Sequence, residues 1–213
     1  MPTPPLPRPD RHPRARIPDG LPAPGRFAHL HPDDGACLME AAALLATGRF
    51  TDSPPGTHPV LAALARAVND AVGEPTRLAL WPLAADLAEA GPADRAYGPR
   101  LVGTVVDAAS RVRPGSRRLR RRGAACHARA RRLARARTPA APARLADLLW
   151  WRGPGHHHLE HALGVLLTAP DADRRLALLL RRAVAEARAT APPGPARADT
   201  PARPARSARG GPP

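Results

Sequence analysis

Apolar residues recur every three or four positions between residues 33 and 190, and nowhere in that span do they alternate with polar ones. Such a period gathers side chains onto one stripe of an α-helix, whereas a half-buried strand needs a period of two. Leu61, Leu64, Val68 and Val72 make one stripe; Leu159, Leu163 and Leu166 make another. Glycine and proline punctuate the pattern where helices end and begin. Helical segments are expected over 33–47, 58–72, 75–90 with a break at Pro82, 99–112, 117–137, 140–151, 156–168 and 171–189. The fold class expected is all-α, a helical bundle or array of about seven helices joined by short turns. No internal repeat of fixed period is visible.

The flanks read differently. Residues 1–32 and 190–213 are rich in proline and arginine and carry no apolar period. Too little apolar surface is present there to offset the entropy of ordering, so both are expected to be disordered, polyproline-like tails. Aromatic residues are few: Phe27, Phe50, Trp81, Tyr97, Trp150 and Trp151. The core must therefore come from Leu, Val and Ala. Ala-rich stripes bring helices close together and would also suit pairing between two copies of the chain.

All 33 basic residues are arginine, and asparagine and isoleucine occur once each, as Asn69 and Ile17. A GC-rich genome writes such a composition, so the net charge of +15 is partly a coding effect. Cys37 and Cys126 do not make a disulfide framework. No leader-like apolar stretch stands near residue 1, and no run is long enough to span a membrane. The expected location is the cytoplasm.

Charge divides the chain. Residues 33–112 carry six arginines against ten acids, while residues 113–137 carry eleven arginines and no acid. The expected organisation is a tail at 1–32, an acidic helical module at 33–112, an arginine-rich helix at 113–137, a three-helix segment at 138–189 and a tail at 190–213. Within the basic block, Leu119, Cys126 and Leu133 recur every seven residues beside Ala130, and arginine covers most of the remaining circumference. A helix of this kind lays its seam on a core and turns guanidinium groups outward. Guanidinium matches phosphate bidentately, so Arg117, Arg118, Arg120, Arg121, Arg122, Arg129, Arg131 and Arg132 are the candidate nucleic-acid or polyanion contacts. An acidic protein surface is the other natural partner. Against both stands the plain alternative, a solvated face inflated by coding bias, or a block neutralised by the acidic module. Neither interleaved aromatics nor a known nucleic-acid motif accompanies the block.

His157-x-x-Glu160-His161 is formally the pattern of inverted zinc peptidases. His157 and His161 fall one helical turn apart and could bind Ni²⁺ or Zn²⁺ weakly. A catalytic site needs a third ligand, for which Glu186 is the only helical candidate, and the stripe also reads as a solvated helix face. No metal or other cofactor is expected. Cys37, His58 and Asp52 could form a nucleophile system on paper, but Cys37 reads as a small buried residue on an apolar stripe and His58 as a helix cap before Pro59. The loop 50–59 is the most composed one, with Asp52 suited to an Asx-turn. Asp52, His58 and Asn69 are expected to have structural roles there, Asn69 holding the loop by its amide.

DGACLMEAAALLATGRFTDSP (34–54) followed by THPVLAALARAVNDAVG (57–73) resembles a group of uncharacterised actinobacterial proteins that share D-G-A-C-L-M-E, F-x-D-x-P, H-P-V-L and N-D. The resemblance covers roughly 33–90 and implies one compact unit there. It supplies no catalytic residue. The function expected is therefore that of a non-enzymatic helical interaction or regulatory protein. The alternatives are polyanion binding through 113–137 and an enzyme of a type that its motifs do not reveal.

Overall fold

The computed structural model describes residues 21–136 and 141–191, and every regular element among them is helical. The outer parts of both expected tails lie outside the described residues. The helices are Leu38–Thr47 (α1), Pro59–Ala71 (α2), Glu74–Leu80 (α3), Leu83–Leu87 (α4), Tyr97–Val112 (α5), Arg117–Arg135 (α6), Ala141–Trp150 (α7), His156–Leu166 (α8) and Ala172–Thr190 (α9). A wide turn, Trp151–Gly155, links α7 to α8. Pro82 breaks 75–90 into α3 and α4, as its missing N–H requires.

α5 is the central element. It packs on α6 and α8 and also touches α2 and α9. One core cluster runs from Ala36 to Ala187, built mostly of Ala, Leu and Val. The charge boundary at 113–116 is a turn within it, and the acidic, basic and C-terminal segments share that core. Tyr97 is fully buried at its centre, where its hydroxyl donates to the Ala183 carbonyl at 3.0 Å.

Three local expectations are corrected. The first helix begins at Leu38 rather than Asp33, because Pro32–Asp34 forms a 3₁₀ turn and Gly35 takes φ 110°. Cys37 is the N-cap: its Sγ accepts from the Glu40 N–H, and the Glu40 carboxylate accepts from the Cys37 N–H at 2.7 Å. Further upstream, residues 21–31 are not open. Ala23 and Gly25 exchange backbone hydrogen bonds with Ala36 at 2.9 and 2.7 Å, laying a strap along the start of α1.

The second correction concerns the loop before α2. It is pinned to the end of α4 and not to Asn69. Thr57 Oγ1 donates to the Leu87 carbonyl at 2.5 Å and the His58 N–H to Ala90 at 3.0 Å. Gly56 lies so close to the Ala88 carbonyl that a Cβ would stand 2.1 Å from its oxygen. Arg66 donates to the Asp52 carbonyl at 2.7 Å.

The third concerns α7. A helical period over 140–151 predicts a buried leucine stripe, yet Leu145, Leu148 and Leu149 are 56%, 43% and 61% exposed. Polar contacts hold this helix instead. Asp147 accepts from Arg95 at 2.6 Å and from Arg129 at 2.7 Å, and Arg95 also donates to the Ala143 carbonyl. The Arg129 guanidinium stands over the Trp150 ring at 5.1 Å.

Candidate polyanion-binding surface

α6 lies against α5 through an interface of small residues. Leu119, Gly123, Cys126 and Ala130 form its buried seam. Ser116 caps the start, its Oγ accepting from the Leu119 N–H at 3.3 Å. Two glycines set the spacing of the pair. A Cβ on Gly103 of α5 would stand 2.7 Å from the His127 ring, and one on Gly123 of α6 would stand 3.0 Å from the Asp107 carboxylate. The seam seen in the sequence holds at Leu119, Cys126 and Ala130, while Leu133 is only half-buried. Gly123 was not singled out there, although its place midway between Leu119 and Cys126 is a usable signal for close approach.

The seam turns the arginines outward. Arg117, Arg118, Arg121, Arg131, Arg132 and Arg135 are exposed and make no ion pair among the described residues. Three of the eight candidates are otherwise engaged. Arg120 donates to the Pro114 carbonyl, Arg122 to the His157 carbonyl at 3.1 Å, and Arg129 to Asp147. The acidic module does not neutralise the block. Among the described residues, the one ion pair formed by an α6 arginine is Arg129–Asp147, with an acid of α7. Among the described residues, the one contact from α6 to an acid of 33–112 is made by a histidine, His127–Asp107 at 2.8 Å.

The histidine-rich start of α8 joins this surface. Burial and the nearby Arg122, Arg118 and Arg113 guanidinium groups hold His161 below its ordinary value; burial and Arg122 do the same to His158. A cationic environment of this kind repels a divalent metal. Glu160 is shared by His156 and His157 at 3.1 and 3.5 Å, and Glu186 pairs with Arg100 at 2.6 Å on another helix. No group of three or more metal-ligating side chains occurs among the described residues.

The paper nucleophile system is not assembled. Cys37 is buried as a cap, and burial pushes its thiol up to about 12, away from a reactive thiolate. Asp52 lies by Arg66 and accepts from the Ser53 hydroxyl. His58 caps α2, accepting from the Val60 N–H at Nδ1, and packs edge-on to Tyr97. Asn69 is buried elsewhere: its Oδ1 accepts from the Leu38 N–H and its amide donates to the Gly25 carbonyl.

Compared with protein families, curated proteins and solved structures, the chain matches none. No helix among the described residues is long and apolar enough to cross a membrane.

Proposed function

We propose that this protein is a non-enzymatic helical protein that binds a nucleic-acid backbone through the outward face of α6. One observation carries the proposal: a helix held by its small-residue seam presents six exposed arginines that no acid neutralises. The face from Arg117 to Arg135 is about 27 Å long at about 1.5 Å per residue. Duplex DNA carries one charge per about 1.7 Å of axis, so several phosphates lie within reach of that face. His157, His158 and His161 border this area at the α8 end, His158 and His161 as neutral imidazole donors or acceptors rather than as further charge. No aromatic ring stands among these arginines, so binding should follow charge rather than base sequence.

The test is fluorescence anisotropy of the full chain with a labelled 20-base-pair duplex at salt from 50 to 200 mM. Four or five phosphate contacts give a log–log slope of about −3.6 to −4.5. The quadruple variant Arg117→Gln, Arg121→Gln, Arg131→Gln, Arg132→Gln should flatten that slope by about three units. Replacing Arg152 and Arg174, which are exposed elsewhere, should flatten it by less than one. Absence of binding at 50 mM salt, or equal losses in the two variants, refutes the proposal.

A further inference from the structure

Below α7 lies a cleft that polyanion binding does not use. Its inner chamber is an apolar cavity of about 230 Å³. The walls come from three elements: Val60 on α2, Pro99 on α5, and Leu148, Trp150 and Trp151 in and after α7. An outer cavity of about 330 Å³, with Asp94, Arg95, Arg144 and Asp147 among its lining residues, adjoins it, and the two share His58, Arg95 and Asp147. An apolar cavity of about 150 Å³ takes benzene, so the inner chamber has room for a larger ring system.

The polar groups along the cleft are unevenly engaged. Asp94 is paired with Arg100 at 3.0 Å, and Arg95 with Asp147 at 2.6 Å. Asp147 is further held by Arg129. Arg144 lines the outer cavity, is exposed and has no partner among the described residues. His58 stands at the junction of the two cavities. Its Nδ1 accepts from the Val60 N–H, which leaves Nε2 to carry the proton, and Nε2 has no hydrogen-bond partner among the described residues. Gly98 leaves the room this imidazole occupies, since a Cβ there would stand 3.1 Å from both the His58 ring and Val60. The cleft thus offers an aromatic chamber, one neutral N–H donor at its neck and one unpaired guanidinium at its mouth.

We infer that this cleft binds a small aromatic carboxylic acid, its rings in the Trp150–Trp151 chamber and its carboxylate held by His58 Nε2 and Arg144. The chamber supplies apolar area and no unpaired charge, since Arg95 and Asp147 on its edge are paired with each other. The carboxylate finds a charge-assisted partner in the one cation of the cleft that is not already paired. A neutral molecule of the same shape fills the same chamber and gains nothing from Arg144.

The probe pair is 1-naphthylacetate and 2-(1-naphthyl)ethanol, titrated into the full chain and followed by tryptophan fluorescence and calorimetry. The acid should bind saturably at one site and about tenfold more tightly than the alcohol. Arg144→Ala, a surface change that leaves the core intact, should weaken the acid about tenfold and leave the alcohol unchanged. Leu148→Ala, which removes one chamber wall, should weaken both. On a chain of net charge +15, diffuse attraction of an anion barely responds to the loss of one arginine. Acid binding that is indifferent to Arg144→Ala therefore overturns the inference. So does the absence of saturable binding by either probe.

Discussion

His127 of α6 and Asp107 of α5 meet at 2.8 Å, each lying over a glycine of the opposite helix. The His127 ring occupies the space that a Gly103 side chain would fill, and the Asp107 carboxylate sits against Gly123. The contact locks the register of the arginine helix on α5. Two opposing effects then act on Gly103→Ala. Alanine is better than glycine within a helix by about 0.8–1 kcal/mol. Its Cβ would stand 2.7 Å from the ring, so the histidine must move and its hydrogen bond to Asp107 must break. We expect Gly103→Ala alone to destabilise the protein by about 1–2 kcal/mol. In a His127→Ala background the same change should stabilise it by up to about 1 kcal/mol. Urea midpoints of the four chains check the reversal of sign; two changes of the same sign would contradict it.

Acid should weaken the fold in two separate windows. Burial lowers the His58 imidazole to about 4, from an ordinary value of 6.5. The unfolded chain therefore takes up a proton that the folded chain refuses. Stability is full above pH 6.5, declines as pH falls toward about 4, and changes no further from this group below that. The size is at most about 3.4 kcal/mol, at 1.36 kcal/mol per pH unit. His58→Asn keeps a capping side chain and removes the titration. Its unfolding free energy should be flatter than that of the parent between pH 6.5 and 4.5; parallel curves would count against the buried neutral imidazole.

Glu40 acts lower on the scale. Burial alone would raise its carboxyl, but N–H groups of Cys37 and His29 hold it below the usual range. The contribution of a depressed carboxyl is present above its ordinary value of about 4.3 and is lost as pH falls through the folded value. Glu40 is 2% exposed and serves three donors: the Cys37 N–H, the His29 N–H and His29 Nδ1. Glu40→Gln offers one oxygen acceptor where two were used, and turns an NH₂ toward a donor. We expect a loss of about 2–4 kcal/mol at pH 7. Below pH 4 the gap between variant and parent should narrow, as thermal melts across pH would show; a constant gap would argue against an ionised Glu40.

The helical period made most of this architecture legible. It placed α2, α5, α8 and α9 to within a few residues, because each buries a stripe against several neighbours. The break at Pro82 and the end of the first helix at residue 47, before a glycine, were equally readable, since both follow from backbone sterics. Polar networks were not readable. Cys37 as a cap depends on Glu40, and Glu40 in turn on a strap at 21–31 whose proline-rich composition resembles an open tail. The exposed leucines of α7 defeated the pattern for a different reason. Amphipathicity shows that a face is apolar, but the Asp147 ion pairs decide which way the helix turns. At the candidate surface, the outward arginines followed from the seam, whereas the Asp147 and His157 partners of Arg129 and Arg122 are long-range contacts that no local spacing reveals.

Asn69 gives a direct measure of what the strap contributes. Its side chain joins three pieces of backbone: it accepts from Leu38 at 3.3 Å, donates to Gly25 at 2.9 Å and lies on the buried face of α2. Beside it, Asp70 accepts from the Phe27 N–H at 2.8 Å, although Phe27 must take a left-handed φ of 60° to reach it. Arg26 adds a bond to the Val72 carbonyl. Asn69→Ala strands the Leu38 N–H and the Gly25 carbonyl, and each buried group left unmade costs about 1–3 kcal/mol. The expected loss is about 2–3 kcal/mol in global stability. The strap should be released first, because among the described residues it is attached chiefly by hydrogen bonds and by Leu21. Limited trypsin digestion should therefore cut after Arg26 at least about tenfold faster in the variant, while cuts within α5 and α6 speed up only in step with global stability. If cleavage after Arg26 accelerates no more than cleavage in those helices, the strap is not held by Asn69.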